Sequence, residues 1–301
     1  MELRQLKTFR TVATLLSFNR AAEALNYAQS TVSAQIRNLE EDLGVRLFDR
    51  LGKGIVLTEA GELLALHAQK LLDMEAETLA DVKGRNRPQG SLTIRVPQSL
   101  GNIYLPQVLA RFRQRFPLVS FHFHTCAFHS LEHELLTGVT DLAFLLAESI
   151  QSASLIAEPL RFERLLMVAN PGSRLRSSST VCAKDLVHHA VFLPKFDCGY
   201  RMEFEQMLTE RGVKPRTMLE FNSMEMLKNC LKSSDGVAML PEIAVREELA
   251  SGELAVIPWE EEELETAVLM IRHKEKWLSP ALRSFMDIAR SVMVPADAPL
   301  S

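Results

Sequence analysis

The short polar side chains between Gln29 and Asn38 are the part of this sequence best suited to chemistry with a macromolecule. Val32, Ile36, Leu39 and Leu43 recur at helical spacing and predict one apolar stripe. At about 100° per residue, Ser30, Ser33, Ala34, Arg37 and Asn38 fall away from that stripe, with Gln29 and Thr31 at the helix start. A face so short-chained and poor in acids can approach the major groove of double-stranded DNA closely. There Gln can bond adenine through two atoms, and Ser or Thr can reach bases or phosphates. Gln29 is therefore the first candidate for base reading, with Ser30, Thr31 and Ser33 beside it, while Arg37, Arg50 and Lys53 can neutralise phosphates.

Other reactive side chains form weaker patterns. His129 and His133 lie four apart, with Cys126, His122 and His124 nearby, yet no known ligand spacing is completed. Alternation of His122 and His124 with Phe121 and Phe123 suits the polar face of an exposed strand equally well, so no metal site is expected. The cysteines, Cys126, Cys182, Cys198 and Cys230, have no CxxC spacing and read as reduced thiols. With no GxSxG elbow, phosphate loop or HExxH, neither catalysis nor a cofactor is expected.

The elements that must hold the polar face can also be read. Leu3, Leu6, Phe9, Val12, Ala13 and Leu16 predict an amphipathic helix, and Ser17 can cap a shorter one carrying Phe18, Ala21, Ala22 and Leu25. Asn26-Tyr27-Ala28 makes a tight turn before the third helix, which Gly44 ends. Two strand-like runs, 46–50 and 55–57, flank Leu51-Gly-Lys-Gly54 and predict a hairpin wing. Two short helices and a wing make a winged helix-turn-helix, whose second helix of the pair enters the major groove.

Thr58 can cap the next helix, which runs to about Lys83, close to 40 Å at about 1.5 Å per residue. Leu64, Leu71 and Thr78 are seven apart, with His67 and Met74 between them, a seam that predicts a partner helix. The polar run 84–90 is a hinge, so the expected division is 1–58 for the winged helix-turn-helix, 59–90 for a linker and dimerisation helix with its hinge, and 91–301 for a second domain. In that domain short apolar strands, such as 92–96, 119–124, 141–146, 164–169, 190–193, 237–240 and 267–272, alternate with helices at 103–116, 131–138, 200–211 and 224–231. Such alternation argues for an α/β sheet covered by helices.

Bulk properties permit this plan. The 301 residues are 47% hydrophobic and 24% charged, and no apolar run approaches the length of about 20 residues that spans a membrane. Charges interleave with apolar residues from Met1 to Arg10, unlike a secretory signal, so the expected compartment is the cytoplasm. Up to Thr58 eight bases face six acids, a net +2 that leaves −6 for the remainder of a chain whose total is −4. This asymmetry permits nucleic-acid binding without establishing it.

Five blocks resemble the N-terminal region of LysR-type transcriptional regulators, in order and in spacing: Met1-Glu-Leu-Arg-Gln-Leu-Lys-Thr-Phe9, Ser17-Phe-Asn-Arg-Ala-Ala-Glu-Ala-Leu25, Gln29-Ser-Thr-Val-Ser-Ala-Gln-Ile-Arg-Asn-Leu-Glu40, Leu43-Gly-Val-Arg-Leu-Phe-Asp-Arg50 and Leu57-Thr-Glu-Ala-Gly61. Weaker matches continue through Leu105-Pro106, Phe112 to Pro117, Gly138, Asp141-Leu-Ala143, Gly236 to Pro241 and Gly252. The resemblance implies a winged helix-turn-helix, a linker helix pairing two subunits, and a two-subdomain α/β effector domain like that of periplasmic binding proteins. It implies a transcription regulator bound to promoter DNA as a homodimer or homotetramer, with RNA polymerase a further partner. Ala28 and Ser30 stand where the family often has Ser and Pro, and Ala34 where it often has Arg, so the side chains offered to DNA differ there from the family pattern.

In proteins of that architecture a ligand sits between the subdomains, at strand ends and helix N-termini. The matching positions are Gln98, Ser99, Leu100, Phe128, Cys198, Arg201 and Ser223. Asp197-Cys-Gly-Tyr-Arg201 resembles the Gly-Cys-Ser-Tyr-Arg segment of one family branch. Arg201 can then clamp a carboxylate effector or serve as a structural ion-pair partner, and Cys198 beside it is a candidate redox thiol. The competing class is a small-molecule binding module whose N-terminal region only dimerises. Dimerisation alone needs no acid-poor Gln/Ser/Thr/Arg face.

Overall fold

Leu6, Phe9 and Val12 recur every third residue and are all removed from water, which makes the opening segment a helix with one buried face. The computed structural model describes residues 1–51, 54–83, 90–125, 128–177, 180–195, 199–260 and 264–294. It places α1 at Leu3–Leu15, α2 at Phe18–Leu25 and α3 at Gln29–Leu43. Ser17 caps α2 by accepting from the Arg20 backbone N–H, and Gly44 ends α3 in the left-handed region. β1 (Phe48–Leu51) and β2 (Gly54–Leu57) pair antiparallel, Phe48 opposite Leu57. Thr58 Oγ1 accepts from Gly61 N at 3.0 Å and starts α4 (Glu59–Lys83), whose 25 residues span about 37 Å.

The remaining elements are β3 (Gly90–Arg95), α5 (Gln98–Arg115), β4 (Val119–His124), α6 (Phe128–Leu136), β5 (Leu142–Ala147), β6 (Leu155–Ala169), β7 (Ala190–Pro194), α7 (Gly199–Glu210), β8 (Thr217–Phe221), α8 (Met224–Lys232), β9 (Gly236–Pro241), α9 (Glu242–Ser251), β10 (Ala255–Val256), β11 (Glu265–His273) and α10 (Pro280–Met293). Strand order is β4-β3-β5-β11-β6-β9-β7-β8, with β10 on β6. β3 is parallel to β4 and β5, and β7 is parallel to β8 and β9. Each half thus sets its first strand between its second and third, which defines two subdomains. The long strands β6 and β11 pair antiparallel and join the halves: β11 also lies on β5, and the far end of β6 lies on β9.

Several boundaries differ from the sequence expectation. α5 begins at Gln98 instead of the expected 103 and carries Pro106 inside it, so Gln98, Ser99 and Leu100 form its first turn. β6 begins at Leu155, well before Arg164. Pro159 and the charges at 158, 161, 163 and 164 hide it, and a register shift between Val268 and Leu269 absorbs the proline. β8, α9 and α10 are further additions. Along β4, Phe121 and Phe123 are half-buried and stacked at 5.4 Å while His122 and His124 are exposed, as the alternation implied.

Candidate functional site

Three contacts fix α3 against its domain. Its stripe, Val32, Ile36 and Leu39, is buried with Leu6, Phe9 and Val12 of α1, and Thr8 Oγ1 donates to Gln35 Oε1 at 2.6 Å behind it. Glu40 Oε1 accepts from the Leu47 backbone N–H at 2.7 Å, tying the helix to the chain that enters the wing. Phe48 of the wing packs on Phe9 and Phe18 with ring centres 5.4 and 5.8 Å away. An open groove of 940 Å³ separates α3 from the wing, with Arg37 and Arg46 among its lining.

The opposite face is open, as base reading requires. Gln29, Ser30, Thr31, Ala34, Arg37 and Asn38 are exposed and Ser33 is half-buried. Gln29 Nε2 donates to Ser33 Oγ at 2.9 Å, one turn along, which holds the carboxamide over the helix start. Arg50 lies on β1 opposite Ile55, while Lys53 falls outside the described residues.

α4 is held to this domain by Ala65, Ala68 and Leu72, and by Lys7 Nζ on Glu75 Oε2 at 2.8 Å. Leu63, Leu71, Met74, Leu79 and Val82 face water, as do His67 and Thr78. Leu64 departs from the predicted seam because it packs against the helix's own domain.

Between the subdomains, the first turn of α5 meets the start of α8. Gln98 Oε1 accepts from Met224 N at 2.8 Å, and Ser223 caps α8 through its hydroxyl. Ser99 is 3% exposed. Leu100, in the same first turn, is fully buried in the apolar core with Val96, Tyr104 and Val108. α6 begins at Phe128, whose side chain is outside the described set, as is Cys198; Cys182 and Cys230 are half-buried free thiols.

Of the two roles open to Arg201, carboxylate clamp or structural ion-pair partner, the geometry shows the second. Its guanidinium already holds Glu205 Oε1 at 3.0 Å and Glu220 Oε1 at 2.5 Å and donates to the Pro194 carbonyl. A fork satisfied by two carboxylates is a structural ion-pair partner. Beside it Gly199 packs so tightly on β5 that a Cβ would lie 1.8 Å from the Leu146 carbonyl oxygen. Glu203 on the same helix accepts from the Glu148 N–H, and burial, added to by the Glu148 charge, pushes its carboxyl above the usual range.

One buried group escaped the sequence reading. Arg161 on β6 pairs with Glu163 at 2.7 Å and donates to the Tyr104 hydroxyl at 2.9 Å. Burial raises Glu163 despite Arg161 and Arg246. The signal was alternating charge along 161–164, which resembles a solvated loop until β6 is seen to be a strand.

Two family models match the chain: the bacterial regulatory helix-turn-helix protein of the lysR family over residues 3–62, and the LysR substrate binding domain over residues 85–294. The chain belongs to the LysR family of transcription regulators. Among curated relatives, the uncharacterised HTH-type transcriptional regulator YwqM of Bacillus subtilis strain 168 is 34% identical over 291 residues, covering 96% of this chain and 99% of that one. Two solved LysR-type neighbours share the fold. A full-length OxyR variant from Pseudomonas aeruginosa has a TM-score of 0.75 at 23% identity, covering 99% of both chains. Full-length LysG from Corynebacterium glutamicum, solved with bound effector Arg, has a TM-score of 0.67 at 24% identity, covering 98% of this chain and all of that one. This LysR-type regulator is therefore a DNA-binding protein with an effector-binding domain, and its relatives are regulators, not enzymes. No helix among the described residues is long and apolar enough to cross a membrane.

Proposed function

We propose that α3 lies in the major groove of promoter DNA, with Gln29, Ser30, Thr31 and Ser33 at base edges and Arg37, Arg50 and Lys53 on phosphates. The acid-free exposed arc and the Gln29–Ser33 bond support this assignment. The working units are the DNA-reading domain 1–58, the linker 59–90 and the effector domain 91–301. Two copies pair through the apolar face that α4 leaves in water, and pairs assemble into a tetramer in the cytoplasm, with RNA polymerase the downstream partner.

The effector is a small molecule bound where Gln98, Ser99 and Ser223 converge, and Phe128 and Cys198 remain candidate contacts on the family resemblance. The observation that carries this is the Gln98 bridge to Met224 N, which joins the subdomains through two helix starts. A ligand entering there exchanges with that bond and changes subdomain closure, and a carboxylate suits helix N-termini better than a cation does. Thermal-shift screening of metabolites tests it. A ligand at a hundred times its Kd stabilises the folded protein by about 2.7 kcal/mol. Gln98→Ala and Ser99→Ala should shrink the shift; a full shift in both would place the ligand elsewhere.

A further inference from the structure

Gln69 sits where three parts of the chain meet. It lies on α4 beside the buried Ala68, and although it is a long polar side chain it is only 6% exposed. From one side Arg10 of α1 donates through Nη1 to its Oε1. From the other side the turn after α6 presses on it. Gly138 there has φ +71°, and a Cβ on that residue would lie 2.3 Å from Gln69 Cγ and 2.7 Å from Oε1. A glycine is therefore needed twice at this position, for its left-handed backbone and for the close approach of the linker side chain.

The turn is not an isolated loop. Glu134 of α6 accepts from Thr140 Oγ1 at 2.8 Å, from Ser130 Oγ at 2.9 Å and from Arg95 through Nε and Nη2. The same Arg95 donates through Nη1 to the Thr125 carbonyl at 2.6 Å, at the end of β4. Thr125 and Arg95 stand at the strand ends that lead into the cleft, the latter only three residues before Gln98. The half-buried Glu134 carboxylate thus ties the first turn of α6 to its last and, through Arg95, to the ends of β3 and β4. Burial alone would raise the Glu134 carboxyl, but the hydrogen bonds from Arg95, Thr140 and Ser130 outweigh it and hold it low, so the brace stays charged at neutral pH.

We propose that Gln69 is the positioning residue coupling the effector domain to the DNA-reading domain, held between Arg10 on α1 and the Gly138 turn that ends α6. Movement of α6 relative to the linker displaces the Gln69 carboxamide, and Arg10 passes that displacement to α1, against which α3 is packed. The coupling is reciprocal, so DNA bound at α3 must change the turn at residues 137–141. A side chain serving only to fill space would be indifferent to DNA.

Amide hydrogen exchange of the full-length protein, with and without a duplex from its own upstream region, separates the two. In the free protein Gln69→Ala should speed exchange at residues 137–141 about tenfold, because it removes the side chain packed against Gly138. Duplex should alter exchange at that turn in the wild type and in Gln69→Glu, which keeps both the Cγ contact and an acceptor for Arg10. It should leave the turn unaltered in Gln69→Ala, with the duplex held at a concentration that saturates the protein. Arg10→Ala, which leaves the Gly138 contact intact, should break the response in the same way and carries the test if Gln69→Ala does not fold. The proposal is overturned if exchange at the turn is unchanged in free Gln69→Ala, or if the duplex response persists in Gln69→Ala or Arg10→Ala. A wild type that ignores its duplex altogether contradicts the DNA assignment, while the free-protein comparison still decides whether Gln69 holds the turn.

Discussion

Replacing Gln29 by Ala probes base reading at its most exposed point. The side chain leaves the first residue of α3, is exposed, and touches its own domain through the 2.9 Å bond to Ser33 Oγ. Its loss should leave folding within about 0.5 kcal/mol, since the apolar stripe behind it is untouched. On DNA, a bidentate pair with adenine accounts for about 1–3 kcal/mol of discrimination. That corresponds to a loss of about 5- to 150-fold on the cognate site and little on unrelated sequence. Ser33→Ala should cost less, because the carboxamide remains but is no longer held. The double variant should then lose less than the sum of the singles, as expected for residues in contact. Fluorescence anisotropy at one fixed salt concentration, with cognate and scrambled duplexes, gives all four numbers. Equal losses on both duplexes, or strictly additive singles, would refute the assignment of Gln29 to a base.

Gly61→Ala should destabilise the N-terminal domain by about 1–3 kcal/mol in urea melts although alanine is the better helix former, because its Cβ would lie 2.2 Å from the Leu47 carbonyl oxygen; a stabilised variant would contradict that close approach. Leu71→Asp with Met74→Asp should dissociate the dimer proposed through α4, since each apolar side chain buried at an interface stabilises it by about 1.5–3 kcal/mol, and an unchanged mass in sedimentation would show that this face of α4 is not the contact. Glu203 has a raised carboxyl pKa, so its folded state takes up a proton more readily than the unfolded chain. Its contribution to stability is therefore present below the ordinary carboxylate value and lost as pH rises through the raised one. Glu203→Gln, which keeps an acceptor for Glu148 N, should flatten that part of a Tm-against-pH curve, and an unchanged slope would reject burial as the cause.

Much of the DNA-reading half was legible because its information is local. Ser17, Gly44 and Thr58 cap or end helices from their own positions, and the stripe Val32, Ile36 and Leu39 repeats within a single helix. The effector domain yielded less, for reasons visible in particular residues. β6 was half hidden because Pro159 and alternating charges read as a loop, while its stability comes from β11 and β9, far away in sequence. Arg201 left a ligand clamp open because, although Glu205 lies one turn along the same helix, its second partner Glu220 comes from β8. Leu100 fell at a cleft position along the chain, but the first turn of α5 rotates it into the core. Gln69 gave no signal, since a glutamine on a polar helix looks solvated until Gly138 is brought against it.

The central claim, that α3 of this regulator reads a particular DNA sequence, is tested most directly by footprinting the purified full-length protein on its own upstream region across a salt series. The expected result is a protected site that survives excess competitor DNA, with affinity falling steeply as salt rises because phosphate contacts release counterions. Protection that spreads evenly over the fragment, or that vanishes with any competitor, would contradict it.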